Sequence, residues 1–232
     1  MEMTPDYSYH GPVAVFDLDD TLISERDFCR RGFLILEQAL TDAGIPAEGL
    51  AAEMTALLEK REPYMPAFEK IIAEEEVDKA LNNRLLDLYG NSTRPLEPRA
   101  DVRQTLDRLA ALGTVMALVT DGRPATQRAK LRSAGLERYF APHLIYISGE
   151  RGIDKSSTES FADIVRHYPE ARKFLYVGDN PAKDILSPAL LGWETAILEY
   201  DDDNVHIPAP NDAIPIAPTY SSIRFKDILQ IL

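Results

Sequence analysis

The chain has 232 residues and a formal net charge of −13, long enough for one α/β domain or a core with a smaller insert. Such acidity excludes nucleic acid and anionic membrane surfaces as partners, since both attract basic proteins, and the lone Cys29 permits neither an intrachain disulfide nor a cysteine metal cluster. No apolar stretch approaches the length of a bilayer span and residues 1–10 lack the pattern of a signal peptide, so the expected compartment is the cytoplasm.

In chain order, residues 13–16 form a first short apolar run, followed at once by Asp17-Leu18-Asp19-Asp20-Thr21. Residues 24–94 then carry no convincing strand. Ser24 with Asp27 resembles a capping box, and Cys29, Phe33, Leu36 and Leu40 recur at helical spacing up to Gly44. Cys29 reads as a small packed side chain. Leu50, Met54 and Leu57 form a second stripe, and Leu81, Leu85 and Leu88 a third before Gly90. This predicts an inserted, all-helical subdomain with one hinge near Ile23 and another at Arg94, Pro95, Glu97 and Pro98.

From about residue 100 the pattern becomes regular. Val102, Leu106 and Leu109 predict a helix ending before Gly113, and apolar runs follow at 115–119, 144–147, 174–177 and 195–198. Between them, Pro124 to Gly135 reads as a helix. Phe161, Ile164, Val165 and Tyr168 form a stripe behind the caps Ser156, Ser157 and Thr158, and Pro181 opens a helix through Ile185, Leu186, Ala189 and Leu190, closed by Gly192. The alternation predicts βαβ units around a mostly parallel sheet. Asp201-Asp202-Asp203-Asn204 and the proline-rich stretch to Pro218 read as a solvated loop, and residues 223–232 as a short closing helix. The boundaries are therefore 1–23 and 95–232 for a Rossmann-like, doubly wound core, and 24–94 for the helical cap.

Four of the apolar runs end in polar groups suited to chemistry. Asp17 and Asp19 follow the first, Thr120-Asp121-Gly122 the second, Lys155 comes after the third, and Gly178-Asp179-Asn180 with Asp184 follows the fourth. Open α/β sheets hold their ligands at the carboxyl ends of their strands. Asp17, Asp19 and Thr21 also match positions one, three and five of a calcium-binding EF-hand loop, but Leu22 and Phe28 stand where that loop requires glycine and glutamate.

In order and spacing, these four motifs resemble those of the haloacid dehalogenase superfamily, and the helical segment sits where capped members carry their cap. One departure is Ser156, where proline often follows the motif lysine. The resemblance implies Mg²⁺-dependent hydrolysis of a small phosphorylated metabolite through an aspartyl phosphate. Asp17 is then the nucleophile and Asp19 the acid and base; Thr120, Asp121, Gly122 and Lys155 bind phosphate. Asp17, the backbone carbonyl of Asp19, and Asp179 hold the metal, with Asp184 acting through water or through Lys155. Family dehalogenases lack an aspartate at the position of Asp19, which favours an ester. A sugar phosphomutase keeps both carboxylates and is the nearest alternative, and an idle relative that only binds is a further one. Asp20 and Thr21 read as structural, and Asp20 equally as a solvated turn residue. Arg26, Arg30, Arg31, Tyr64 and Lys70 are the cap side chains that could meet the leaving part of a substrate.

Overall fold

A computed structural model describes residues 4–91, 95–200, 202–205 and 215–232. Its centre is a six-stranded, wholly parallel sheet in the order β3-β2-β1-β4-β5-β6. The strands are β1 (Pro12–Phe16), β2 (Val115–Thr120), β3 (Ile145–Ile147), β4 (Lys173–Gly178), β5 (Glu194–Leu198) and β6 (Tyr220–Ile223). This is the Rossmann-like, doubly wound arrangement, in which the direction of winding reverses between β1 and β4.

From β1 to β5 every crossover between parallel strands returns through helix, so both faces of the sheet are covered. Ala14 and Phe16 pack on one face with Leu106, Leu109, Leu131 and Phe225, whereas Val13 and Val15 pack on the other with Tyr146, Phe161, Ile164 and Trp193. No residue from Val13 to Phe16 is measurably exposed. Each of the valines and Phe16 contributes about 1.5–3 kcal/mol by leaving water, and burial on both faces is why the run reads as continuously apolar rather than alternating.

Helices α1 (Glu25–Asp42), α2 (Leu50–Glu59), α3 (Met65–Glu74) and α4 (Lys79–Gly90) follow β1 without an intervening strand. Ser24 caps α1 as predicted, its Oγ accepting from Asp27 N at 3.2 Å. Cys29, Phe33, Leu36 and Leu40 face a cluster of their own with Leu50, Met54, Leu58, Phe68 and Leu85. The stripes are corrected at two places: in α2 Leu58 rather than Leu57 joins Leu50 and Met54 inside, and in α4 Leu88 is half exposed while Leu85 points inward. Tyr89 touches both this cluster and the one beneath the sheet. The chain leaves and re-enters the sheet region side by side, with Ile23 bridged to Pro98 and Arg99 N donating to Leu22 O at 2.9 Å. Arg94 lies outside the described residues.

Helices α5 (Val102–Ala111), α6 (Pro124–Ser133), α7 (Ser148–Arg151) and α8 (Glu159–His167) cover the sheet between β1 and β4. Thr158 occupies the cap position of α8 without a side-chain bond, and Ser157 Oγ instead accepts from Glu159 N. Beyond β4 the single helix expected from Pro181 is two, α9 (Pro181–Asp184) and α10 (Leu186–Leu190), broken at Ile185. Pro188 explains the break: it has no N–H for the carbonyl of Asp184, and its ring crowds that carbonyl. The closing segment is a single turn at 225–227 followed by α11 (Ile228–Ile231).

Candidate active site

Three strand ends, those of β1, β2 and β4, and the connection that follows α7 build the site. Asp17 N donates to Val177 O at 3.0 Å, which keeps the chain in register with β4 for one residue past β1. The chain then turns back, with Leu22 N and Ile23 N both donating to Leu18 O. Asp20 takes the left-handed conformation at φ 52°, which a short polar side chain tolerates. It is buried and structural, not a solvated turn: Oδ1 accepts from Glu25 N at 3.0 Å and Oδ2 from Val205 N at 2.7 Å.

Asp17, Asp179 and Asp184 bring carboxylate oxygens within 4.8 Å of one another. Lys155 Nζ lies 3.1 Å from Asp17 Oδ2 and 2.7 Å from Asp184 Oδ1. Asp184 is wholly buried and also accepts from Asn180 N at 2.8 Å and from Tyr176 OH at 3.3 Å. A Cβ on Gly178 would overlap Asp184 Oδ2, so only glycine fits there. Asn180 itself is turn chemistry, capping α9 through Ala182 N.

On the other side of the cleft, Thr120 ends β2. Gln127 Nε2 donates both to Thr120 Oγ1 at 2.9 Å and to Asp19 Oδ2 at 2.8 Å, and Lys130 Nζ donates to Asp19 Oδ1 at 2.7 Å. Asp121 Oδ1 accepts from Lys155 N at 3.0 Å and so fixes the loop that delivers the lysine. Gly122 differs from expectation. Its N–H donates to Ser148 Oγ at 2.9 Å, and at φ 145° its missing Cβ leaves the room that the Gln127 side chain occupies.

The electrostatics follow from burial. Burial pushes the Asp17 carboxyl up to about 7, with Lys155 pulling the other way and Asp184 and Asp19 adding to the rise. Burial, then the neighbouring Asp184 and Asp17, push Asp179 up to about 9. Burial also works against charge on Lys155, but Asp17 and Asp184 outweigh it and hold the ammonium well above its usual range. One ammonium thus answers three buried carboxylates. Oxygen donors this close with negative charge to spare fit a hard divalent cation.

The cleft holds about 100 Å³ and is lined by Asp17, Asp19, Thr120, Lys155, Asp179 and Glu25, the first residue of α1, among others. Burial, followed by Asp19, pushes the Glu25 carboxyl up to about 8. Of the residues expected from sequence, Asp17, Asp19, Thr120, Asp121, Lys155 and Asp179 line this cleft and Asp184 stands behind Lys155, whereas Gly122 packs against Gln127 instead; Glu25, Gln127, Lys130 and Asn204 are contacts that sequence reasoning missed. Nothing local marked Gln127 and Lys130, whose shared partner Asp19 is more than a hundred residues away in the chain.

Asn204 was hidden by its neighbours. Instead of a solvated loop, residues 202–205 form a strap over the site. Asn204 is 1% exposed, accepting from Arg99 Nη1 at 2.9 Å and reaching Asp179 Oδ2 through Nδ2 at 3.4 Å. Asp203 Oδ2 accepts from Ser24 Oγ, and Arg26 donates to the carbonyls of Asp202, Asp203 and Asn204. Asp201 and residues 206–214 lie outside the described residues. Among the cap candidates, Arg26 and Arg30 are both spent on Glu59, Arg31 on Pro95 O, and Tyr64 on Cys29 Sγ, while Lys70 lies exposed near Glu74.

Over 188 residues the chain is 27% identical to the glyceraldehyde 3-phosphate phosphatase of Methanocaldococcus jannaschii, covering 78% of this chain and 82% of that one. Over 99 residues it is 38% identical to the phosphoserine phosphatase of Thermus thermophilus, covering 42% and 38% of the two chains. The fold is that of YfnB from Bacillus subtilis, solved bound to magnesium, with a TM-score of 0.61 at 21% identity over 97% of this chain and 99% of that one. The family model described as haloacid dehalogenase-like hydrolase matches residues 12–192. The chain belongs to the haloacid dehalogenase-like hydrolases.

Proposed function

We propose that this hydrolase is a phosphomonoesterase that cleaves a small phosphorylated metabolite through an aspartyl phosphate on Asp17. The observation that carries the reading is the buried Asp17 carboxylate, 3.1 Å from Lys155 Nζ and in one cleft with Asp19, Thr120 and Asp179. Two curated relatives bearing phosphatase names support it.

Asp17 attacks phosphorus, so one hard displacement becomes two easier ones. Lys155 offers a fixed positive charge to the phosphoryl oxygens. Thr120 Oγ1 accepts from Gln127, which leaves its own proton to donate to them. Asp19 protonates the leaving oxygen and afterwards takes the proton from the attacking water. Asp17, Asp179 and the backbone carbonyl of Asp19 would hold Mg²⁺, which supplies neutralisation of the phosphoryl charge. Asp184 serves by gripping Lys155, at 2.7 Å.

The helices from Glu25 to Gly90 act as the cap that closes over the substrate. The names of the relatives make phosphates of three-carbon compounds the first to try. The net charge of −13 supports a reading without nucleic acid or membrane partners. The cytoplasm is the proposed compartment, and no helix among the described residues is long and apolar enough to cross a membrane.

The test is release of inorganic phosphate from p-nitrophenyl phosphate with and without Mg²⁺, then from a metabolite panel. Turnover should require the metal, and Asp17→Asn should abolish it while the thermal transition stays sharp. An Asp17→Asn protein that keeps its rate places the nucleophile elsewhere.

A further inference from the structure

Gln127 and Lys130 stand one turn apart on α6 and are 2% and 4% exposed. An isolated ammonium in such a place is strongly disfavoured. Here it is met by Asp19 Oδ1 at 2.7 Å and by the face of Phe28, whose ring centroid lies 4.6 Å away. Gln127 takes the other oxygen, Oδ2, at 2.8 Å, and ties it to Thr120. A carboxyl gripped separately at each oxygen has lost its freedom to turn about its last bond. Gly122 keeps the space that this grip needs.

We infer that Lys130 and Gln127 are positioning residues for Asp19, aiming the carboxyl that trades a proton with the leaving oxygen. The inference rests on Asp19 being the acid and base of the proposed reaction. In the first step a bond forms between phosphorus and an Asp17 oxygen as the ester P–O bond breaks. The electron pair stays on the leaving oxygen, which takes the proton of the Asp19 carboxyl. In the second step a water oxygen bonds to phosphorus and gives its proton to Asp19, while the Asp17–phosphorus bond breaks and its pair returns to Asp17. Both transfers need the Asp19 oxygen within hydrogen-bond reach of one point, so a carboxyl that turns freely loses rate without losing substrate affinity.

Leaving-group dependence separates aiming from mere packing. Dinitrophenolate departs without a proton, whereas an alkoxide does not. The ratio kcat/KM reports the enzyme up to phosphoryl transfer, whichever later step limits turnover. The experiment compares 2,4-dinitrophenyl phosphate with glycerol 3-phosphate at saturating Mg²⁺ in Lys130→Met, Lys130→Arg, Gln127→Leu and Asp19→Asn. Lys130→Met and Gln127→Leu should lower kcat/KM for the alkyl ester by roughly 10-fold or more and for the aryl ester by less than about 3-fold. Lys130→Arg should recover part of the loss, and Lys130→Met added to Asp19→Asn should cost nothing further. Equal losses on both esters, or none on either, overturn the inference. Should Lys130→Met fail to fold, Gln127→Leu decides alone, since it exchanges one neutral side chain for another. Equal losses in Asp19→Asn itself would instead overturn the assignment of Asp19, a different failure with its own signature.

Discussion

At the scale of single residues, the site is held together by charge that burial makes costly. Asp17 and Asp179 are pushed up to about 7 and about 9, chiefly by burial, from an ordinary 3.8. Between those limits the folded chain holds protons that the unfolded chain has released, so stability falls as pH rises through the window. The chelated protein should thus lose melting temperature steadily from pH 5 to about 9. Saturating Mg²⁺ should raise the melting temperature and flatten that slope, because a cation takes over the role of the protons. Calorimetry across pH with and without metal checks both, and a slope that metal leaves unchanged contradicts the carboxylate cluster as the cation site. At this scale sequence was a good guide to Asp17 and Asp179, each following its strand directly, and to Lys155, which stands past α7 in the connection after β3. It was a poor guide to Asn204 and Lys130, whose partners Asp179 and Asp19 are remote in the chain.

Among the elements, legibility followed burial on two faces. β1, β2 and β4 carry continuous apolar runs because both of their faces are covered. β6 escaped because it is an edge strand, Tyr-Ser-Ser-Ile, with both serines exposed. α3 escaped because Phe68 is its one buried side chain. The interior of the helical unit, by contrast, was written at helical spacing in α1. Its cluster meets the one beneath the sheet through Tyr89, so the two cores should fail separately. Met54→Ala empties a fully buried site in α2 and should cost about 2–5 kcal/mol locally. Hydrogen exchange should quicken across α1 to α4 while amides of β1, β2 and β4 keep their protection. Uniform loss of protection would show a single cooperative core instead.

For the molecule as a whole, the charge of −13 opposes the approach of any phosphate ester. Salt screens this long-range repulsion but hardly touches contacts inside the cleft. At fixed Mg²⁺, kcat/KM for a dianionic ester should therefore rise as ionic strength goes from about 0.01 to 0.15 M. A fall would mean that a locally positive approach dominates. The alternation of strands with helices and the presence of a helical insert were readable from the pattern alone, whereas the strap at 202–205 was not, being polar in composition and tied down by contacts from Ser24, Arg26 and Arg99. The pairing of Ile23 with Pro98 has a wider bearing. Because departure and return share a single doorway, the sheet beneath is indifferent to how long a detour the polypeptide takes between them. Evolution can trade one lid for another there, or an engineer can graft one, while the chemistry underneath keeps its wiring.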